Sequence, residues 1–255
     1  MNHLIRQTVV GILLLSSTLH TFSQEVSSHW EINAEVGINI GASTPTPLPS
    51  SLKKVYTWYP KLNPSLGLSA TYWLDRTKIS ACWGIHTGVY GEYKSVETTT
   101  AVDGMDIVVG KSHEALRGLF SGDNLASLRN GYVTIPVGLA FLLPKQKLTI
   151  EAGLYLSLLL QGSFTVIIDG TLRPKETPES PILIDLWKFD FSDQLRTIDS
   201  GWQGKLSYNI NNRLMIQTAI SMGFVSIVKR NFEAIPFGLH NVFATIGFSY
   251  NLSGL

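Results

Sequence analysis

His86 and Glu92 stand six positions apart in one alternating segment and so share a face. An imidazole and a carboxylate on one face are the groups that general acid–base chemistry uses. Ser80 is the nearest hydroxyl on that face, but no nucleophile sits at a defined spacing from His86. The pair therefore reads as part of a polar network, and no catalytic residue is assigned. Glu31, Glu35, Glu151 and Lys205 are the other charges on strand-like segments that are otherwise almost uncharged. Isolated charges in a low-dielectric interior are costly and tend to pair. A Glu151–Lys205 contact is predicted, joined by Glu31 or Glu35. Asp103, Asp106, His113, Glu114, Asp123, Asp169, Asp185, Asp190 and Asp193 are scattered between these segments. They show no EF-hand or HExxH spacing, and the chain has no Walker or dinucleotide glycine motif, so no metal and no cofactor is expected.

The elements that must position these groups are strands. HWEINAEVGINIG, residues 29–41, puts Trp30, Ile32, Ala34, Val36, Ile38 and Ile40 on one face and Glu31, Asn33, Glu35, Gly37 and Asn39 on the other. This period of two is the strand signature. It recurs in residues 65–74, 78–93, 132–143, 148–160, 202–208, 214–224 and 242–252, which with the first segment makes eight strands. Asp75-Arg76-Thr77, Pro144-Lys145-Gln146 and Asn211-Asn212-Arg213 are tight polar turns, whereas 43–63, 94–130, 162–198 and 227–239 are long connections. Pro136 falls inside a strand, where it cannot donate to a ladder, so a local irregularity is expected there.

Bulk properties narrow the setting. The 255-residue chain has a net charge of +1, which gives no field for nucleic acid. Only 15% of its residues are charged, below the roughly 25% of soluble domains. Lone Cys82 excludes an intramolecular disulfide. MNHLIRQ, with Arg6, precedes the apolar run TVVGILLLSSTLHTF, and Thr21-Phe22-Ser23 supplies small residues at a cleavage site. Residues 1–23 therefore read as a cleaved signal peptide and 24–255 as the exported domain, with no transmembrane helix after the run.

A soluble barrel alternates too, with its apolar face inward. Two features point the other way. Trp30, Tyr72, Phe141, Tyr208 and Tyr250 lie on the apolar face near the short-turn rim, as a periplasmic aromatic girdle would. Tyr93, Trp202 and Phe224 are candidates for a second belt. The polar face is mostly Gly, Ser, Thr, Asn and Gln, which suits a narrow lumen better than bulk water. The expected fold is an all-β, eight-stranded, antiparallel, up-and-down transmembrane β-barrel with short periplasmic turns and long extracellular loops. Glu31, Glu35, His86, Glu92, Glu151 and Lys205 would form a polar network plugging its lumen.

YVTIPVGLAFL (132–142), LTIEAGLYLSLLL (148–160) and IDSGWQGKLSYNINNRLMIQTAISMGF (198–224) carry a family resemblance. In order and spacing they resemble the Tyr-x-x-Ile-Pro strand, the Glu-Ala-Gly strand and the Asp-x-Gly hairpin of the PorT-like outer-membrane β-barrel proteins of Bacteroidetes. The resemblance spans nearly all the exported chain and makes Pro136 a usual feature. It implies an outer-membrane location and no known enzymatic activity, with a thin link to protein secretion. The ending departs from an aromatic close: Phe248-x-Tyr250-x-Leu252 is followed by Ser253-Gly254-Leu255.

The expected function is non-enzymatic: a structural, adhesive or secretion-accessory role carried by the outer loops. The rivals are a lipid-modifying hydrolase or acyltransferase, and a small solute pore. Expected partners are outer-membrane lipid, the barrel-assembly machinery during biogenesis and a protein at the extracellular loops, with no nucleic acid. PILIDLWKFDF, 181–191, alternates, so the third long connection is expected to be a hairpin standing above the membrane, and this segment is its first candidate binding surface.

Overall fold

The computed structural model describes residues 29–74, 81–109, 116–175 and 180–253. The expected signal peptide, the Asp75–Thr77 turn, Ile79, Ser80, His113 and Glu114 lie outside the described residues. The described chain forms ten strands: β1 (Trp30–Pro45), β2 (Leu52–Pro60), β3 (Pro64–Trp73), β4 (Cys82–Val109), β5 (Leu116–Leu143), β6 (Leu148–Pro174), β7 (Ile182–Asp190), β8 (Ile198–Asn209), β9 (Leu214–Gly223) and β10 (Leu239–Asn251). Eight of them close an antiparallel ring in the order β1-β3-β4-β5-β6-β8-β9-β10. The seam joins the two ends of the chain, from Asn33 opposite Asn251 to Pro45 opposite Leu239. A closed ring leaves no unpaired edge, the condition for crossing a bilayer with strands.

The alternation settles which side is which. Val36, Leu68, Ile85, Leu154, Ile216 and Ile246 point outward and are exposed, while Asn33, Glu35, Ser69, His86, Ser157 and Gln217 point inward and are buried. A continuous belt of exposed apolar side chains is far larger than any patch a water-soluble monomer carries. The barrel is the inverse of a soluble one: oil outside, polar groups within.

The short turns close the periplasmic rim. Pro144–Gln146 is one turn of 3-10 helix, and Lys147 takes a left-handed conformation (φ 54°) to re-enter β6. At the β8–β9 turn Asn211 Oδ1 accepts from the Arg213 and Leu214 amides at 2.9 and 2.7 Å, the side-chain-built turn that asparagine favours. Pro136 interrupts one side of its strand only. The β4–β5 pairing skips from Thr87–Val137 to Tyr90–Thr134 without changing register, and Thr87 Oγ1 donates to the Pro136 carbonyl at 2.9 Å. Pairing of Pro136 with Tyr155 on β6 is continuous.

The long connections are in large part strand, which the sequence pattern did not anticipate. β4, β5 and β6 run on past the membrane for a second span, reaching Val109, Leu116 and Pro174. β2 adds to the upper part of β4, between Val96 and Val102, and β7 adds to the upper part of β6, between Thr165 and Leu172. The hairpin expected in the third long connection is the β6–β7 pair, with the alternating 181–191 segment supplying its second arm. The physical reason for the difference is that the inward face changes chemistry. Along β5 it passes from Thr134, Tyr132 and Asn130 to Leu128, Ala126 and Phe120. On β6 a bulge lies between the pairs Gly131–Gln161 and Tyr132–Leu159. One extra residue flips the parity of a strand. Below the bulge Glu151, Tyr155 and Ser157 are buried, and above it Phe164, Ile168 and Leu172.

Candidate functional site

The lumen is filled from the bottom upward. Trp73, only 1% exposed, packs with Cys82 and Ala140 as an apolar plug near the periplasmic rim. Its indole nitrogen donates to Glu31 Oε2 at 3.1 Å. Above it Lys205 Nζ lies 2.9 Å from both Glu35 Oε1 and Glu151 Oε2. Glu151 and Lys205 are directly opposite on β6 and β8, so the backbone register itself holds the pair. Ser69 and Gln217 donate to the Glu35 carboxylate at 2.6 and 3.0 Å. His86 Nε2 is 3.1 Å from Glu151 Oε2, and its Nδ1 is 3.1 Å from Thr71 Oγ1.

Glu92 belongs to a second cluster and does not meet His86. Its carboxylate binds Lys94 Nζ at 2.9 Å and accepts from Thr134 and from Asn39 Nδ2. Lys94 also stands over the rings of Tyr155 and Tyr132, 4.9 and 5.7 Å from their centroids. Tyr155 and Asn241 in turn donate to Asp199 Oδ2 at 3.1 and 2.8 Å. A cavity of about 60 Å³ separates the two clusters, lined by Glu35, Tyr90, Glu92, Lys94, Lys205 and Gln217 among others. Such a small space with polar lining suits water.

Lys94, Tyr132, Tyr155 and Asp199 were not expected at this site. Lys94 carries the signal that could have found it: it continues the even-numbered inward series of His86 and Glu92 by one more step. Asp199 and Gly201 form the Asp-x-Gly opening. A Cβ on Gly201 would stand 2.1 Å from the Met222 carbonyl, so only glycine lets β8 and β9 approach this closely.

The expected girdle residues all lie on the outer surface. Trp30 and Tyr72 contact each other with ring centroids 5.1 Å apart, Phe141 meets Trp83 at 4.6 Å, and Tyr208 and Tyr250 are exposed beside them in the outward series. Tyr93, Trp202 and Phe224 also face outward.

A second site sits where the polar lumen ends. The next inward positions above Lys94 and Asn130 are Val96 and Leu128, which with Phe164 and Leu239 begin an apolar chamber. Its volume is about 1330 Å³. One wall is the upper sheet of β2, β4, β5, β6 and β7. The other is the segments 191–197 and 226–239, stitched together by Arg196 N to Ile227 O at 2.7 Å and Lys229 N to Gln194 O at 2.9 Å, and the end of β1 with Leu48 and Pro49 completes the lining. Phe164, Phe191 and Phe232 meet between the two walls. The scattered acids are divided by this arrangement: Asp190 and Asp193 line the chamber, while Asp106 pairs with Lys175 on the strand extensions.

The model of the outer membrane protein beta-barrel domain matches residues 22–229, most of the chain. The chain belongs to that family. With the membrane-facing belt described above, it is an integral outer-membrane β-barrel protein. None of the curated proteins matches it. Among solved structures it is similar to Ail, the attachment invasion locus protein of Yersinia pestis, solved in complex with the heparin analogue sucrose octasulfate. The two are 11% identical over 89% of this chain and 99% of that one, with a TM-score of 0.38. Neisserial surface protein A gives 10% identity over 89% and 99% at a TM-score of 0.33. OprG from Pseudomonas aeruginosa gives 12% over 88% and 96% at 0.31.

Proposed function

We propose that this family member is a non-enzymatic surface protein whose barrel is an anchor and whose extracellular head is the working part. The observation that carries the reading is the change within single strands from a plugged polar lumen to a walled, open-topped chamber. Two layers of ion pairs and the Trp73 plug occupy the path a solute would take, which supports an anchor over a pore. The Thr71–His86–Glu151 contacts have the hydroxyl–imidazole–carboxylate order of a nucleophilic relay. Thr71 and His86 are buried, and neither lines a cavity described here, so the contacts support a structural role.

The finer assignment is PorT-like, on the Tyr-x-x-Ile-Pro, Glu-Ala-Gly and Asp-x-Gly segments. It carries with it export through a cleaved signal peptide, insertion by the barrel-assembly machinery and an adhesive or secretion-accessory role with a protein partner at the head. The test is protease treatment of intact cells together with bilayer recording. Cleavage in 226–238, with the 144–147 and 210–213 turns protected and no single-channel conductance, is the expected result. Cleavage at the short turns, or steady conductance, overturns the reading.

A further inference from the structure

The chamber differs from the lumen below it in lacking charge at depth. Its deeply buried lining is Val96, Leu128, Phe164, Phe120, Ile168 and Met105, whereas the charged residues on its lining are not buried. Those are of both signs: Arg117 is held by Glu233 at 2.9 Å at the far end of the strand extensions, and Lys188, Asp190 and Asp193 stand along the side formed by β7 and the segment after it. The exposed charges therefore select no sign of charge, and the buried walls select hydrocarbon. About 1330 Å³ exceeds the roughly 300–1,000 Å³ of an ordinary ligand pocket, space enough for a long flexible chain. One polar atom is out of place. The side-chain oxygen of Asn124, on the inward face of β5, is buried on the chamber wall and accepts no hydrogen bond. A buried acceptor without a donor is costly, so a ligand that brings a donor to it is favoured.

We propose that the chamber binds a long-chain acyl compound, its hydrocarbon against the Leu128–Phe164–Ile168 wall and a hydroxyl or amide donor on the chain meeting Asn124. The proposal rests on the reading of the head as the working part and gives that head its ligand class. Chain length governs affinity: each methylene removed weakens binding about fourfold, measured from the free aqueous concentration. Head charge has little effect, because the exposed charges are of both signs.

The experiment uses the full chain in phosphatidylcholine nanodiscs and a palmitic acid analogue carrying a photoreactive diazirine on its chain. Cross-linked residues are mapped by mass spectrometry. Saturable labelling at Leu128, Phe164 or Ile168 is expected, displaced by excess palmitate or hexadecanol and not by octanoate. A hydroxylated C16 acid should displace the probe about fivefold better than palmitate, and Asn124→Leu should abolish that difference. Ala126→Trp, which fills the chamber, should remove this labelling and leave labelling of Leu154 and Ile246 on the lipid face unchanged. Thr98→Trp, the cross-strand neighbour of Ala126 on β4, serves the same purpose if Ala126→Trp does not fold, with heat-modifiable gel migration reporting the barrel in each case. Labelling confined to the lipid face, or displacement by octanoate as readily as by palmitate, overturns the proposal. Equal displacement by plain and hydroxylated acids overturns the role of Asn124. A head that protease reaches on cells but that takes no label would sink the acyl ligand and leave the function of the head standing.

Discussion

The lower and upper halves of β4, β5 and β6 are built from the same kind of strand and obey opposite rules. Below, polar side chains point in and apolar ones out, because the outside is hydrocarbon and the inside is a narrow space in which side chains satisfy one another. Above, apolar side chains point in and polar ones out, because the outside is water. β5 makes the change by substituting residue types at unchanged parity, from Asn130 to Leu128. β6 makes it with a bulge, from Ser157 below to Phe164 above. The comparison shows that a strand keeps its pairing while its environment reverses, and that the position of the reversal marks the outer surface of the membrane. It also separates two kinds of cohesion: ion pairs under low dielectric in the barrel, aliphatic and aromatic packing in the head.

The largest expected effect comes from breaking the lower half at its charged centre. Lys205→Met leaves Glu35 and Glu151 facing each other without their shared cation. Removing one partner of a buried ion cluster costs about 3–5 kcal/mol, and the whole barrel should lose that much in urea-monitored folding. The triple variant Lys205→Met/Glu35→Gln/Glu151→Gln should recover most of the loss, since replacing every charge removes the unpaired ones. A Lys205→Met barrel as stable as the parent would mean the cluster is ornamental.

Phe120→Ala tests whether the head is a separate unit. Phe120 is fully buried against Val102, Ile107, Leu172 and Ile184, and its truncation costs about 3–5 kcal/mol locally. Head peptides should become protease-sensitive while the heat-modifiable migration of the barrel stays as it was. Loss of both together would show that the two halves unfold as one.

How much of this could be read from the sequence follows from the same reversal. The eight membrane strands, their inward and outward faces and the turns at Pro144–Gln146 and Asn211–Arg213 were legible because lipid on one side and a lumen on the other impose a clean period of two. The inward placement of Glu31, Glu35, His86, Glu92, Glu151 and Lys205 follows from parity alone, and the register then decides who meets whom. His86 meets Glu151 on a distant strand and not Glu92, since neighbours across the lumen are set by ring closure. The strand extensions were read as loops because the outward face turns polar at Glu97, Thr99 and Arg129, which resembles a loop when only one solvent is assumed. Lys94 was missed for that reason: it sits one step past the point at which the apolar outer face stops. The chamber was out of reach of any periodicity, since its second wall comes from 226–239, far away in sequence from β4 and β5.

The finest probe of the comparison is a matched pair of arginines. Leu154 and Leu183 are both exposed leucines on strands, at 60% and 75% of full exposure. Leu154 lies midway along the membrane part of β6, whereas Leu183 lies on β7 beside the strand extension. An arginine on the lipid face near mid-membrane costs about 2–4 kcal/mol, so Leu154→Arg should lower barrel stability by that amount. Leu183→Arg should change stability by no more than about 0.5 kcal/mol, as for a surface position in water. Both leucines are well exposed, so the difference between the variants reports the solvent around each. A cost at Leu183 equal to that at Leu154 would place β7 in lipid and move the outer boundary of the membrane above the chamber, and the chamber would then open within the bilayer.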